Sequence, residues 1–219
     1  PSAVTGSYQP YAQPHWKSGA ADGERTAPDP LRWQPMPLPD QPGDAALDFV
    51  DGLRTMVVNG DPEAQTGSAV HLVLMNRSMD RRALVNADGE LLVVPQQGAL
   101  TVVTELGILD VVPGELLLLP RGLAFSVMVD GPSRAYVCEN HGAPFRLPEL
   151  GPIGSNGLAN ARDFLAPVAA YEPRQDTPYE IIRRDGGQLW RTTQAHTPYD
   201  VVAWHGSLAP LKYDTANFM

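Results

Sequence analysis

The chain has 219 residues, 25 acidic against 16 basic, a net charge of −9 and a single cysteine. That length supports one sizeable domain, or one and a half, with a core needing no cross-links, and Cys138 alone closes no internal disulfide, so a reducing, cytoplasmic setting is the expectation. The acidic balance repels a phosphate backbone and argues against nucleic-acid or anionic-membrane partners, and no apolar run approaches the roughly 18 to 20 residues of a membrane-spanning helix.

In chain order, Pro10, Pro14, Pro28, Pro30, Pro35, Pro37, Pro39 and Pro42 punctuate residues 1–42 and remove backbone donors, which predicts an extended arm. Tyr8, Tyr11, Trp16 and Trp33 are more aromatics than a solvated linker needs, so some should be buried against the body or a neighbouring subunit. Opening on Pro1 and stopping at "KYDTANFM", the chain reads as a piece of something longer. The segment Asp44 to Val58, with "ALDFVDGLRTMVV", fits either the start of an amphipathic helix or a strand.

From Ala69 to Glu139 the pattern becomes short Val- and Leu-rich runs beginning at residues 69, 83, 90, 99, 108, 115, 124 and 134, separated by turns such as "NADG" and "VPG". Runs this short and this regularly punctuated predict an all-β, antiparallel sandwich or barrel. Beyond Pro167 come weaker candidates, "YEIIRR" at Tyr179, "QLWRTT" at Gln188 and "DVVAW" at Asp200. The expected organisation is an arm over 1–42, a β-domain over 43–165, and an incomplete second sheet with a connection over 166–219.

"LGPIGSNGLANARDFLAP", Leu150 to Pro167, spaces Gly151, Gly154 and Gly157 evenly. The spacing matches neither the dinucleotide fingerprint nor the P-loop, since no Lys-Ser/Thr follows and no strand leads directly in. Pro152 removes a donor that a phosphate cradle would use. Asn160 is a predicted N-cap of a short helix, with the Asp163 carboxylate at the third helical position taking the positive end of the helix dipole. The loop reads as a tight packed connection.

His15, His71, His141, His196 and His205 show no i, i+2 or i, i+4 pairing, so no metal site is expected from this chain alone. Cys138, in an apolar strand without a neighbouring His or cation, reads as a buried inert thiol. Asp48 with Asp51, and Glu172 with Asp176, read as solvated surface carboxylates. No G-x-S-x-G elbow is present, and no residue is assigned a catalytic, cofactor-binding or metal-ligating role.

Two resemblances lie beside this reading. The block Asp88 to Val127, with its "PGE" turn at Pro113 and "LPRG" turn at Leu119, resembles the cupin consensus. At or beside the position of that family's last metal-ligating His stands Phe125, so the resemblance implies a jelly roll with its metal site erased. "LRWQPMPLP" at Leu31, "DFVDGL" at Asp48, "NADGELLVVPQQGAL" at Asn86, "LPELGPIGSNGLANARDFLAP" at Leu147 and "DVVAWHGSLAPLKYDTANFM" at Asp200 are together similar to the homogentisate 1,2-dioxygenase family, from about residue 28 to 219. That resemblance implies an oxidoreductase opening the homogentisate ring with O2 at a non-haem Fe(II), giving 4-maleylacetoacetate in tyrosine and phenylalanine breakdown. It also implies chains about twice this length, assembled as trimers paired into hexamers. Two His and a Glu in the absent C-terminal half would hold the iron. This half would then supply support and assembly, with His205, Lys212 and Tyr213 the stretch most suited to approach the site. The alternative is a non-enzymatic jelly-roll module for binding or assembly.

Overall fold

The structure, a computed structural model, describes residues 7–18, 32, 34–148, 159–173, 176–200 and 208–218. Its strands are β1 (Gln9–Pro10), β2 (Leu53–Asp61), β3 (Thr66–Met75), β4 (Arg82–Asn86), β5 (Glu90–Gln97), β6 (Leu100–Thr104), β7 (Gly107–Val111), β8 (Glu115–Leu119), β9 (Ala124–Met128), β10 (Ser133–Asn140), β11 (Phe164–Leu165), β12 (Tyr179–Asp185), β13 (Gln188–Gln194) and β14 (Leu211–Asp214). Every Val- and Leu-rich run between residues 69 and 139 has become a strand, because each alternates an inward apolar residue with an outward one. The two short helical turns among the described residues are 3-10, at Ala161–Asp163 and Thr215–Asn217. Asn160 caps the first as its spacing predicts, its side chain accepting from the Arg162 N–H.

The ambiguous stretch before β2 is a turn followed by a strand. The Asp48 side chain accepts from the backbone N–H groups of Val50 and Asp51, both at 3.0 Å, a local alternative to the helix ladder. Gly52 then packs so closely on β3 that a Cβ would sit 1.9 Å from the Leu74 carbonyl oxygen.

Two seven-stranded sheets face each other, with orders β1-β13-β12-β4-β9-β6-β7 and β11-β14-β8-β5-β10-β3-β2. Among the described residues, 166–219 do not form a sheet of their own, and most of the "DVVAW" candidate at Asp200 lies outside those residues. β12 pairs in parallel with β4, β13 follows as a hairpin, and β14 pairs with β8, so the late strands extend both existing sheets. The edges of β4 and β8 offer unpaired backbone groups, and pairing them is cheaper than leaving them to water. The β12–β13 hairpin turns at Gly186 and Gly187, with φ of 60° and 74°, the two positive values of a primed turn.

Between the sheets lies one core that includes Phe49, Leu53, Val73, Leu84, Phe125 and Ile182. Each such fully buried side chain contributes about 1.5–3 kcal/mol. The arm joins this core: β1 pairs with β13, the His15 carbonyl accepts from Thr55 N–H at 2.8 Å, and Trp16 is only 5% exposed. Tyr11 is half-buried, Tyr8 is exposed, and Trp33 lies outside the described residues.

The two outer faces differ. Over the first sheet, Tyr199 covers Ala83, Ala124, Tyr179 and Ile181; its hydroxyl lies 2.6 Å from Ser126 Oγ, and its ring meets Tyr179 edge-on at 5.9 Å. On the second sheet the register aligns Val57, Val70, Cys138, Leu92, Leu118 and Leu211 in one outward row across six strands.

Candidate functional site

β10 alternates strictly, so Ala135, Val137 and Glu139 all point inward. That register places a carboxylate, fully buried, at one end of the sandwich. Glu139 Oε1 accepts from Asn86 Nδ2 at 2.7 Å and Arg184 Nε at 3.0 Å. Its Oε2 meets Trp16 Nε1 at 3.3 Å and His71 Nε2 at 3.1 Å. The other nitrogen of His71 faces Thr55 Oγ1 at 2.9 Å. Burial on its own would raise the Glu139 pKa, but the Arg184 charge and the His71 and Asn86 hydrogen bonds outweigh it and hold the carboxyl well below the usual carboxylate range.

Arg184, also fully buried, stacks over the Trp16 ring at 4.7 Å and donates to Ser18 Oγ at 3.1 Å. Asp88 lies 3.6 Å from its Nε and accepts from the N–H groups of Gly186 and Gly187, each at 2.8 Å. Gly187 is needed here twice over: its φ is positive, and a Cβ would lie 2.8 Å from Ser18. The cluster therefore ties the arm, β10 and the β12–β13 hairpin together.

A second cluster reverses the signs. Arg82 Nη1 donates to Asp48 at 2.7 Å and Asp51 at 2.8 Å, while its Nε lies 2.7 Å from Glu180. Arg77 adds contacts of 3.3 Å to both aspartates. Tyr11 donates to Asp51 and lies beneath the Arg82 guanidinium, 5.0 Å from ring centroid to Cζ. These carboxylates are not a solvated surface: Asp48 is 1% exposed, because Arg82 and the turn at Asp48 draw it inward. Glu172 likewise accepts from the Tyr179 and Thr197 hydroxyls, at 2.7 and 2.8 Å, while Asp176 is exposed.

Phe125 is buried and meets Phe49 edge-on at 5.6 Å, a ring contact where the cupin resemblance puts a ligand. Among the described residues no three His, Cys, Asp or Glu side chains converge as metal ligands. With its four donors Glu139 has no oxygen to spare, so these residues do not fit an iron ion. His141 is buried with neither ring nitrogen hydrogen-bonded, and burial lowers its pKa, leaving it neutral. His15 and His196 are exposed; His205 and Gly151, Gly154 and Gly157 lie outside the described residues.

Cys138 is not buried as its apolar strand suggested. Strand alternation turns it to the outer face, half-exposed, where desolvation still raises its thiol pKa, so thiolate chemistry is disfavoured. Lys212 is bound to Glu115 and the Asp110 carbonyl, both at 2.8 Å. Tyr213 stacks on Phe164 at 4.6 Å and lines an apolar groove of about 370 Å3 with Leu116, Leu118, Phe145 and Phe218.

Sequence reading missed the Glu139–Arg184 pair. The signal was present: in "RAYVCEN" the period of two puts Glu139 on the side of Ala135 and Val137.

Two facing sheets, with residues 7–18 pinned to them, make this a two-sheet β-sandwich, all-β throughout its described residues apart from the two 3-10 turns. Some solved cupin structures are weakly similar to part of the chain. A cupin-2 domain protein from Shewanella frigidimarina is 16% identical, with a TM-score of 0.34, 40% of this chain covered and 78% of that one. A cupin superfamily protein from Desulfitobacterium hafniense is 14% identical, with a TM-score of 0.35 and coverage of 50% and 93%. An S161A variant of the Bacillus subtilis oxalate decarboxylase is 15% identical, at 0.33, with 50% and 33% covered. Likeness this slight says nothing of ligand or reaction. The chain belongs to the family of the homogentisate 1,2-dioxygenase N-terminal domain, whose model matches residues 1–215. That match includes the first 27 residues, which the sequence resemblance left out.

Proposed function

We propose that this chain is the N-terminal part of a ring-cleaving dioxygenase that converts homogentisate and O2 to 4-maleylacetoacetate in tyrosine and phenylalanine breakdown. Within that enzyme these residues act as a rigid support, and Fe(II) is held by residues outside this sequence. The family match over residues 1–215 carries the reading. It is consistent with a buried Glu139 whose four hydrogen bonds serve cohesion and leave no lone pair free for catalysis. The parent enzyme is proposed to be cytoplasmic and to assemble as trimers paired into hexamers.

The test compares the full-length protein with residues 1–219, each supplied with Fe(II) without oxygen and then given homogentisate and O2. The full-length protein is expected to consume one O2 per ring opened, and the shorter chain none. Uptake by residues 1–219 at the full-length rate would move the reacting centre into this half. Uptake by neither would leave a non-enzymatic binding or assembly module.

A further inference from the structure

Two asparagines precede a glycine, Asn59 and Asn156, and Asn156 lies outside the described residues. An asparagine is chemically labile where its amide is free and the next backbone nitrogen is unencumbered. The fold separates the described asparagines on both counts. Asn76 accepts from the Leu47 N–H at 2.7 Å and donates to the Pro39 and Ala45 carbonyls, each at 3.1 Å. Asn86 donates to Glu139 at 2.7 Å and accepts from the Asp88 N–H at 3.0 Å. Asn140 donates to the Ala143 carbonyl at 2.7 Å, and Asn160 accepts from the Arg162 N–H at 3.1 Å. Asn59 is exposed, its amide makes no hydrogen bond among the described residues, and the residue after it, Gly60, is exposed as well.

The strand register frees the Gly60 nitrogen too. Successive residues of a strand turn their backbone groups to opposite sides. The Gly67 carbonyl accepts from the His141 N–H at 3.0 Å, so Gly67 faces β10 and Ser68 faces β2. Asn59 stands opposite Ser68 and bonds to it, whereas Gly60 stands opposite Gly67 and points its N–H away from β3. No strand lies on that side among the described residues, because β2 is outermost in its sheet. Gly60 has a φ of 102°, and a Cβ there would lie 2.2 Å from the Thr66 carbonyl oxygen, so the fold demands the one residue that leaves this nitrogen uncrowded. Beyond Asn59 only the Gly60–Gly67 and Asp61–Thr66 pairs remain before the turn. Opening this end of the ladder to bring the nitrogen to the amide carbon therefore gives up few bonds.

We propose that Asn59 is a site of spontaneous deamidation and main-chain isomerisation. A base in solution takes the Gly60 N–H proton, and the nitrogen forms a bond to Asn59 Cγ. The Cγ–Nδ2 bond breaks, and its nitrogen leaves as ammonia with a proton from water. Water then adds to either carbonyl of the resulting succinimide, and ring opening gives aspartate or isoaspartate. Either product adds a negative charge near Asp61. Isoaspartate also inserts a methylene into the main chain of β2 and puts it out of step with Ser68.

The experiment holds the full-length protein, folded, in mildly alkaline buffer and follows its asparagines by peptide mapping, with electron-transfer fragmentation to tell isoaspartate from aspartate. The Asn59 peptide is expected to lose its amide with time, isoaspartate exceeding aspartate, while Asn76, Asn86, Asn140 and Asn160 keep theirs. Asn59→Gln, at an exposed position, leaves the core untouched and should keep its amide over the same interval, because the longer side chain closes a six-membered imide far more slowly. Amide hydrogen exchange at Ser68 should quicken in the converted chain and stay unchanged in Asn59→Gln. An Asn59 that keeps its amide in the folded protein would overturn the proposal, as would conversion of any of the four bonded asparagines as fast as Asn59. Conversion to aspartate alone, or conversion with exchange at Ser68 unchanged, would overturn the main-chain part of it.

Discussion

The two charged clusters are inverse images. One is an acid surrounded by donors, the other a base surrounded by acids, and each fastens one aromatic of the arm: Trp16 at Glu139, Tyr11 at Asp51. They differ in solvent. Glu139 and Arg184 are wholly buried, while the Arg82 cluster opens to water through Glu180 and Arg77, whose side chains are 35% and 49% exposed. Water screens the second and cannot rescue the first. Burial, rather than the number of ion pairs, therefore decides how much the fold depends on each cluster.

The sharpest way to break this comparison is to remove one guanidinium at a time. Arg184→Met leaves the Glu139 charge inside without its cation and is expected to lower unfolding free energy by about 3–5 kcal/mol. Arg82→Met should cost about 1–3 kcal/mol, since Arg77 and solvent remain. Equal shifts in the denaturant midpoint would show that burial does not set the difference.

The arm aromatics give the next largest contrast. Trp16→Ala removes a buried ring together with its hydrogen bond to Glu139, at about 3–5 kcal/mol. Tyr11→Phe removes one hydroxyl from a wetter site, at about 0.5–1.5 kcal/mol. Calorimetric unfolding of the two variants would measure the gap, and a larger loss for Tyr11→Phe would invert the ranking.

Acid separates the clusters further. With its folded pKa below the ordinary value of 4.5, Glu139 contributes stability that is present above that pH and is lost as pH falls. The decline should reach up to about 1.4 kcal/mol per pH unit and should flatten in Glu139→Gln. An unchanged acid limb in that variant would place the dependence elsewhere.

The smallest effect concerns His141. Its folded pKa is lowered, so the unfolded chain takes up the proton first and stability drops as pH falls below about 6.5. His141→Leu removes two unsatisfied ring nitrogens and is expected to change stability at neutral pH by no more than about 1 kcal/mol, in either direction, while abolishing that slope. A loss several times larger would mean the imidazole has a partner.

Much of this was legible in the residues. The eight runs between Ala69 and Glu139, the Asn160 cap and the burial of an arm aromatic follow from periodicity, local hydrogen bonding and composition, all short-range properties. The direction of Cys138 and Glu139 was encoded as well, in the alternation of β10, but only once inside and outside are assigned, and that needs the partner sheet. The buried state of Asp48 was not legible, because it depends on Arg82, 34 residues away.

The amino-acid order by itself determined the strands between Ala69 and Glu139 and the turns between them, since these depend on neighbours in the chain. Only the tertiary structure decided that β12, β13 and β14 extend both sheets, that Glu139 meets Arg184 and Trp16, and that Tyr199 covers one outer face. Those outcomes depend on which distant edges and charges can be satisfied together, and the cost of an unpaired edge or a buried lone charge selects among arrangements that local sequence leaves equal.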